Sequence, residues 1–196
     1  MAPAKAKPVA ASSGARPRRC AAWTRGLALA CVLASQTSPA QVAGAFAPNV
    51  VEITPRLVTS GQPSVKGLET LRARGFDAVI YLAPPTVSDA VRDEALIVGR
   101  QGLVFVDIPI RFDAPTERDY ETFAAILAAL GPRKILVHCQ VNMRASTMVF
   151  LYRVLALKED PNRAYEAVTA VWVPEGPWKR LVADLLSRHG VKFEIY

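Results

Sequence analysis

The stretch "KILVHCQVNMRASTMVFLYRVL", residues 134–155, holds a thiol, an imidazole and a guanidinium within seven positions. An apolar run ends at His138, Cys139 opens a short polar loop, and Arg144 stands where an apolar helical pattern begins. A helix N-terminus presents unpaired backbone N–H groups and roughly half a positive charge. A loop wrapped over that end makes a nest of amides suited to an anion. Cys139 at the start of such a loop points its sulfur into the same field, which favours thiolate, the nucleophilic form. His138 adds to that field, and Ser146 is placed to donate a hydrogen bond to the sulfur. The Arg144 fork would grip two oxygens of a tetrahedral anion.

The elements around this loop read as alternating strands and helices. "VVEITPRLVTSGQPS" alternates like a strand and ends in turn residues. A helix opens at Ser64 and closes at Gly75, and "DAVIYLA" follows as a strand apolar on both faces. A helix capped by Ser88 and ended near Gly102 leads into the strand "LVFVDIPI". A further helix spans Pro115 to Leu130, with Gly131 as its stop. "KILVH" is the next strand, and the apolar helix after the loop must be largely internal. Asp160 caps a helix with Pro161 at its first position, and "GPWKRLVADLLSRHG" forms the last helix. "VKFEIY" reads as a final edge strand. The fold class is α/β: one domain over residues 46–196, a mostly parallel sheet flanked by helices. In such sheets reactive loops lie at the carboxyl ends of strands, where "HCQVNMR" stands.

Residues 1–45 differ in kind. They hold six Lys or Arg and no acid, while the 24 basic and 17 acidic residues of the whole chain come close to balance in the remainder. The folded part therefore carries no electrostatic case for nucleic acid. A basic stretch, the apolar run "LALACVLA" and the small-residue "AGA" at Ala43–Ala45 read as an export signal, with "SPA" as a second cleavage point. An organellar transit peptide is the alternative. The apolar run is too short to span a membrane. The expected location is thus periplasmic or secreted. Two of the three cysteines lie in this segment, leaving Cys139 without an internal disulfide partner. With only His138 and His189 beside it, no metal-ligand spacing can be assembled, and no cofactor is implied. Trp172 and Trp178, around a Pro-Gly turn, read as core packing, with the lip of a cleft as the alternative. "SGQP" reads as a turn supporting the active loop, and His189 as a partner of a helix C-terminus.

"VHCQVNMRAS" resembles the signature loop of the cysteine-dependent protein tyrosine and dual-specificity phosphatases. "LVTSGQPSVKGLETLRARGFDAVIYLA" is similar to the opening of small bacterial phosphatase-like domains, including those called beta-lactamase hydrolase-like. The resemblance implies that Cys139 attacks phosphorus to form a phosphocysteine. It implies that Arg144 binds the phosphate, that the amides of Gln140, Val141, Asn142, Met143 and Arg144 line the nest, and that His138 and Ser146 tune the thiol. It also implies a general acid on a neighbouring loop, where Asp113 holds the matching place and Asp107 is second choice. The substrate would be a phosphorylated protein or a small phosphoester. Two departures stand out. The signature has five residues between Cys and Arg, and this chain has four; its usual Gly is Asn142, the residue that best tolerates a left-handed backbone after Gly. A loop of this length resembles that of rhodanese-type sulfurtransferases. A persulfide carrier using Cys139 and a non-catalytic anion-binding module therefore remain open beside the phosphatase.

Overall fold

The computed structural model describes residues 46–196, so the segment read as a leader lies outside the described residues. The opening stretch is a hairpin and not one strand. β1 (Val51–Thr54) and β2 (Leu57–Ser60) pair antiparallel around Pro55–Arg56, where Thr54 Oγ1 accepts from the amides of Arg56 and Leu57. Pro55 fixes the turn its ring prefers, and the alternation simply continues on the returning strand.

α1 is a single turn and a half, Val65–Glu69, capped by Ser64, and the chain then turns through Gly75. β3 (Ala78–Tyr81), α2 (Glu94–Gly99), β4 (Val104–Asp107), α3 (Glu117–Leu130) and β5 (Ile135–His138) follow. α2 begins later than its Ser88 cap would require: Asp93 is the cap, and residues 84–93 form a loop begun by two prolines that disfavour helix before them. α3 carries a reciprocal capping box between Thr116 and Asp119. α4 (Met143–Leu155), α5 (Pro161–Thr169) and α6 (Gly176–Arg188) complete the chain, with His189 as the C-cap of α6. The expected last strand is absent: residues 191–196 have no ladder, and Phe193 instead packs on Phe150 and Tyr165 with ring centroids 5.4 and 5.0 Å away.

The sheet order is β1-β2-β5-β3-β4, and every pair except the hairpin is parallel. β5 is therefore central and buried at all four positions. Alternate residues serve opposite faces. Ile135 and Val137 face a large core with α3 to α6, while Leu136 joins Val58 and Val79 in a smaller one under α1 and α2. α4 is enclosed, with eleven of its residues buried, which is why its sequence is apolar on every side.

Candidate active site

Cys139 is the first residue beyond the central strand, and its side chain is fully buried. The next four carbonyls are all engaged. Gln140 O accepts from the Gln62 amide at 2.9 Å, and Val141 O from Asn49 Nδ2 at 3.0 Å. Asn142 O accepts from the Ser146 amide at 2.9 Å, and Met143 O from the hydroxyls of Ser146 and Thr147 at 3.2 and 2.9 Å. In a planar trans peptide the N–H points opposite to the C=O. Tying those carbonyls away turns the amides of Val141, Met143 and Arg144 to the other side, while the Asn142 amide points to Ser60 O across the bridge between Gly61 and Val141. Among the described residues no acceptor is hydrogen-bonded to the amides of Gln140, Val141, Met143, Arg144 or Ala145. The result is a cradle of donors over the start of α4, the geometry an oxyanion requires.

The shortened loop is closed by Asn142. Its backbone is left-handed, φ 74°, as expected of the residue that replaces the usual Gly. Its buried side chain donates to Asn49 O at 2.7 Å and Thr59 Oγ1 at 3.0 Å. "SGQP" supports the loop from beneath through the Gln62 amide. Gly61 must be glycine there: a Cβ would stand 2.7 Å from both Gln140 O and Pro48 Cγ.

Arg144 is almost wholly buried. Its Nε donates to Ile110 O at 3.0 Å, and its Nη1 lies 3.4 Å from Gln140 Oε1. The guanidinium carbon sits 5.0 Å from the centre of the Phe112 ring, within cation–π range. Phe112 is held in turn by Trp178, whose indole N–H donates to Phe112 O at 2.9 Å. Phe112, Trp172 and Trp178 form a cluster with centroids 5.9 to 6.4 Å apart. With Met143, Val173 and Glu175 they line a cleft of about 620 Å³ beside the loop. Trp178 is fully buried and so serves as core, as expected, yet both tryptophans also wall this cleft. The aromatic wall is invisible in the sequence because Phe112 is distant from the tryptophans along the chain.

His138 and Ser146 take different places from those expected. His138 shares its sheet face with Leu136 and turns toward α2, the face away from α4. Its Nε2 lies 2.7 Å from Glu94 Oε1, a close contact that is not collinear with a ring N–H, and its ring stacks on Tyr81 at 4.8 Å. The other Glu94 oxygen accepts from Gln62 Nε2 at 2.8 Å. Glu94 is nearly inaccessible to solvent, and this buried carboxylate carried no sequence signal, since it sits in an ordinary amphipathic stretch. Burial first, and then the negative charge of Glu94, push the Tyr81 hydroxyl well above its ordinary range. The Ser146 proton goes to Met143 O, within its own turn, and not to the sulfur.

The two acid candidates differ sharply. Asp113 also lines the cleft, but it is exposed and paired bidentately with Arg111 at 2.7 and 3.1 Å. The Arg111 hydrogen bonds hold its carboxyl below the usual range. Asp107 ends β4 in register with Tyr81. Burial, followed by the charge of Glu94, raises its carboxyl, with His138 acting the other way.

Comparison with known proteins agrees with this fold. Residues 48–174 match the model of the family described as DSP-PTPase phosphatase fused to NAD+ kinase. A beta-lactamase hydrolase-like protein of Agrobacterium fabrum is 30% identical over 109 residues, covering 54% of this chain and 25% of the relative. The chain thus spans about a quarter of the length of the curated relatives it matches. A DUF442 protein from Shewanella putrefaciens is 30% identical, with a TM-score of 0.67 over 72% of this chain and 91% of that one. The active form of Tk-PTP shares the fold at 22% identity and a TM-score of 0.61, over 72% of this chain and 98% of that one. On a fold whose central strand delivers Cys139 to a cradle of amides, that match places the chain in the DSP-PTPase phosphatase family.

Proposed function

We propose that this protein hydrolyses a phosphate monoester through Cys139. The observation that carries the reading is the cradle: four consecutive carbonyls engaged elsewhere, the amides of Val141, Met143 and Arg144 facing the other way, and Cys139 and Arg144 at its two ends. The Cys139 thiolate attacks phosphorus, an S–P bond forms and the ester P–O bond breaks. Asp113, once released from Arg111, gives its proton to the departing oxygen. The resulting carboxylate then takes a proton from water, whose oxygen attacks the phosphocysteine, releasing inorganic phosphate and restoring the thiolate. The amides and Arg144 stabilise the charge on the transferring group. The aromatic cleft supplies an apolar seat for the leaving group.

Phosphatase descriptions among the relatives favour phosphate over sulfur chemistry at the four-residue loop. The test is hydrolysis of p-nitrophenyl phosphate by the full chain across pH 5 to 8, beside Cys139→Ser. Turnover lost in the variant is the expected result. Absence of turnover above the variant refutes the reading; a persulfide on Cys139 after thiosulfate, or oxyanion binding alone, would then identify the sulfurtransferase or the binding module. We also read residues 1–45 as an export signal on their basic, apolar and small-residue succession. Sequencing the mature N-terminus tests this, with cleavage after Ala45 or Ala40 expected.

A further inference from the structure

Residues 46–49 cross the outer side of the active loop as a strap. Phe46 O accepts from the Ser64 amide at 3.1 Å, and Pro48 O from the Gly61 amide at 2.8 Å. The Phe46 ring packs on Phe76 at 6.2 Å and under the Arg74 guanidinium at 4.8 Å. The body of the protein is shaped to receive it. A Cβ on Gly67 would stand 2.3 Å from Phe46 O, and one on Gly61 would strike Pro48. At the end of the strap two asparagines exchange hydrogen bonds with opposite partners. Asn49 Nδ2 donates to Val141 O, and Asn142 Nδ2 donates to Asn49 O. Both have positive φ, 49° and 74°.

We infer that Asn49 and Asn142 are positioning residues that lock the active loop in its anion-receiving form, which makes the strap a working part of the site. The peptide between Val141 and Asn142 is held at both ends, its carbonyl by Asn49 Nδ2 and its amide toward Ser60 O across the bridge between Gly61 and Val141. A turn with positive φ at its second residue can rotate that peptide by about half a turn, and Gly there permits both orientations. Rotation would break both contacts and carry the neighbouring amides of Val141 and Met143 out of the cradle. Asn49 holds that carbonyl outward. Asn142 keeps the left-handed backbone while its side chain fixes the residue to both the strap and Thr59. The chain therefore replaces a flexible point of the loop with a tethered one.

This inference rests on the phosphate reading for its ligand but not for its geometry, and the test separates the two. Asn49→Gly keeps the positive φ and removes the donor; Asn49→Asp keeps the shape and offers an acceptor where a donor is needed. In the full chain we would measure tungstate affinity by calorimetry and hydrogen exchange of amides 141–145 without oxyanion. Both variants should weaken tungstate about tenfold, the upper worth of one lost hydrogen bond, and accelerate exchange by a similar factor. Asn142→Gly should do the same. Unchanged exchange overturns the inference, as does a lower melting temperature with unchanged affinity per folded molecule. Wild-type protein that binds no tungstate removes the phosphate reading alone, and the exchange rates still decide whether the strap locks the loop.

Discussion

Replacing Glu94 by alanine isolates the buried cluster beneath the loop. Glu94 is 3% exposed, and its two oxygens contact Gln62 Nε2 at 2.8 Å and His138 Nε2 at 2.7 Å. Its removal takes away the hydrogen bond from Gln62 Nε2, the one its side chain accepts among the described residues. One orphaned buried group costs about 1–3 kcal/mol. For a domain of this size about 1 kcal/mol shifts the melting temperature by roughly 2–4 °C, which gives a fall of about 2–12 °C. The exposed Glu69→Ala is the control and should stay within about 0.5 kcal/mol. Thermal unfolding at pH 7, followed by circular dichroism, reads both. Because Gln62 also holds Gln140 O through its backbone, the variant should lose oxyanion affinity well below its melting transition. A melting temperature within about 2 °C of wild type would show that the cluster is not a buried polar network of the kind described, since even one orphaned group would exceed that shift.

Arg111→Ala removes the hydrogen bonds that depress the Asp113 carboxyl. A general acid works only while protonated, so the basic limb of the pH–rate profile should move to higher pH; no movement would exclude Asp113 as that acid. The same depression means Asp113 favours the folded state at neutral pH and loses that contribution as pH falls through its folded titration, with the sign read by urea midpoints across the acid range. Asp107 has the opposite sign: its raised carboxyl opposes folding once ionised, so Asp107→Asn should raise the melting temperature at pH 7, and the gain should vanish as pH falls below its titration. Arg144→Lys keeps the charge but loses the planar fork held by Ile110 O and Phe112, and should lower kcat/KM about 10²–10³-fold in steady-state assays.

Much of this arrangement is legible in the sequence because it depends on short-range chemistry. The parallel sheet follows from apolar runs separated by helical patterns, and the left-handed turn at Asn142 follows from which residues tolerate it. The edges are less legible. "VKFEIY" has the composition of a strand, but its aromatic residues gain more by packing on Phe150 and Tyr165 than by extending a ladder. The Ser88 cap failed because a capping residue is only a local preference, and the two prolines and Asp89 serve the loop: Asp89 accepts from Gln140 Nε2 at 2.9 Å.

The least legible feature is the role of His138, and its position explains why. Sequence neighbours at the end of a strand face opposite sides of the sheet, so adjacency to Cys139 along the chain is separation in space. The imidazole belongs to the α2 side, with Glu94, Tyr81 and Gln62, while the sulfur belongs to the α4 side. What joins them is the backbone. Gln62 holds Glu94 with its side chain and Gln140 O with its amide, so the buried cluster and the amide cradle share one residue. The loop is then fixed from two independent directions, by Gln62 from beneath and by Asn49 from outside. A loop with four residues between its cysteine and arginine can face its amides inward because every intervening carbonyl has somewhere else to go.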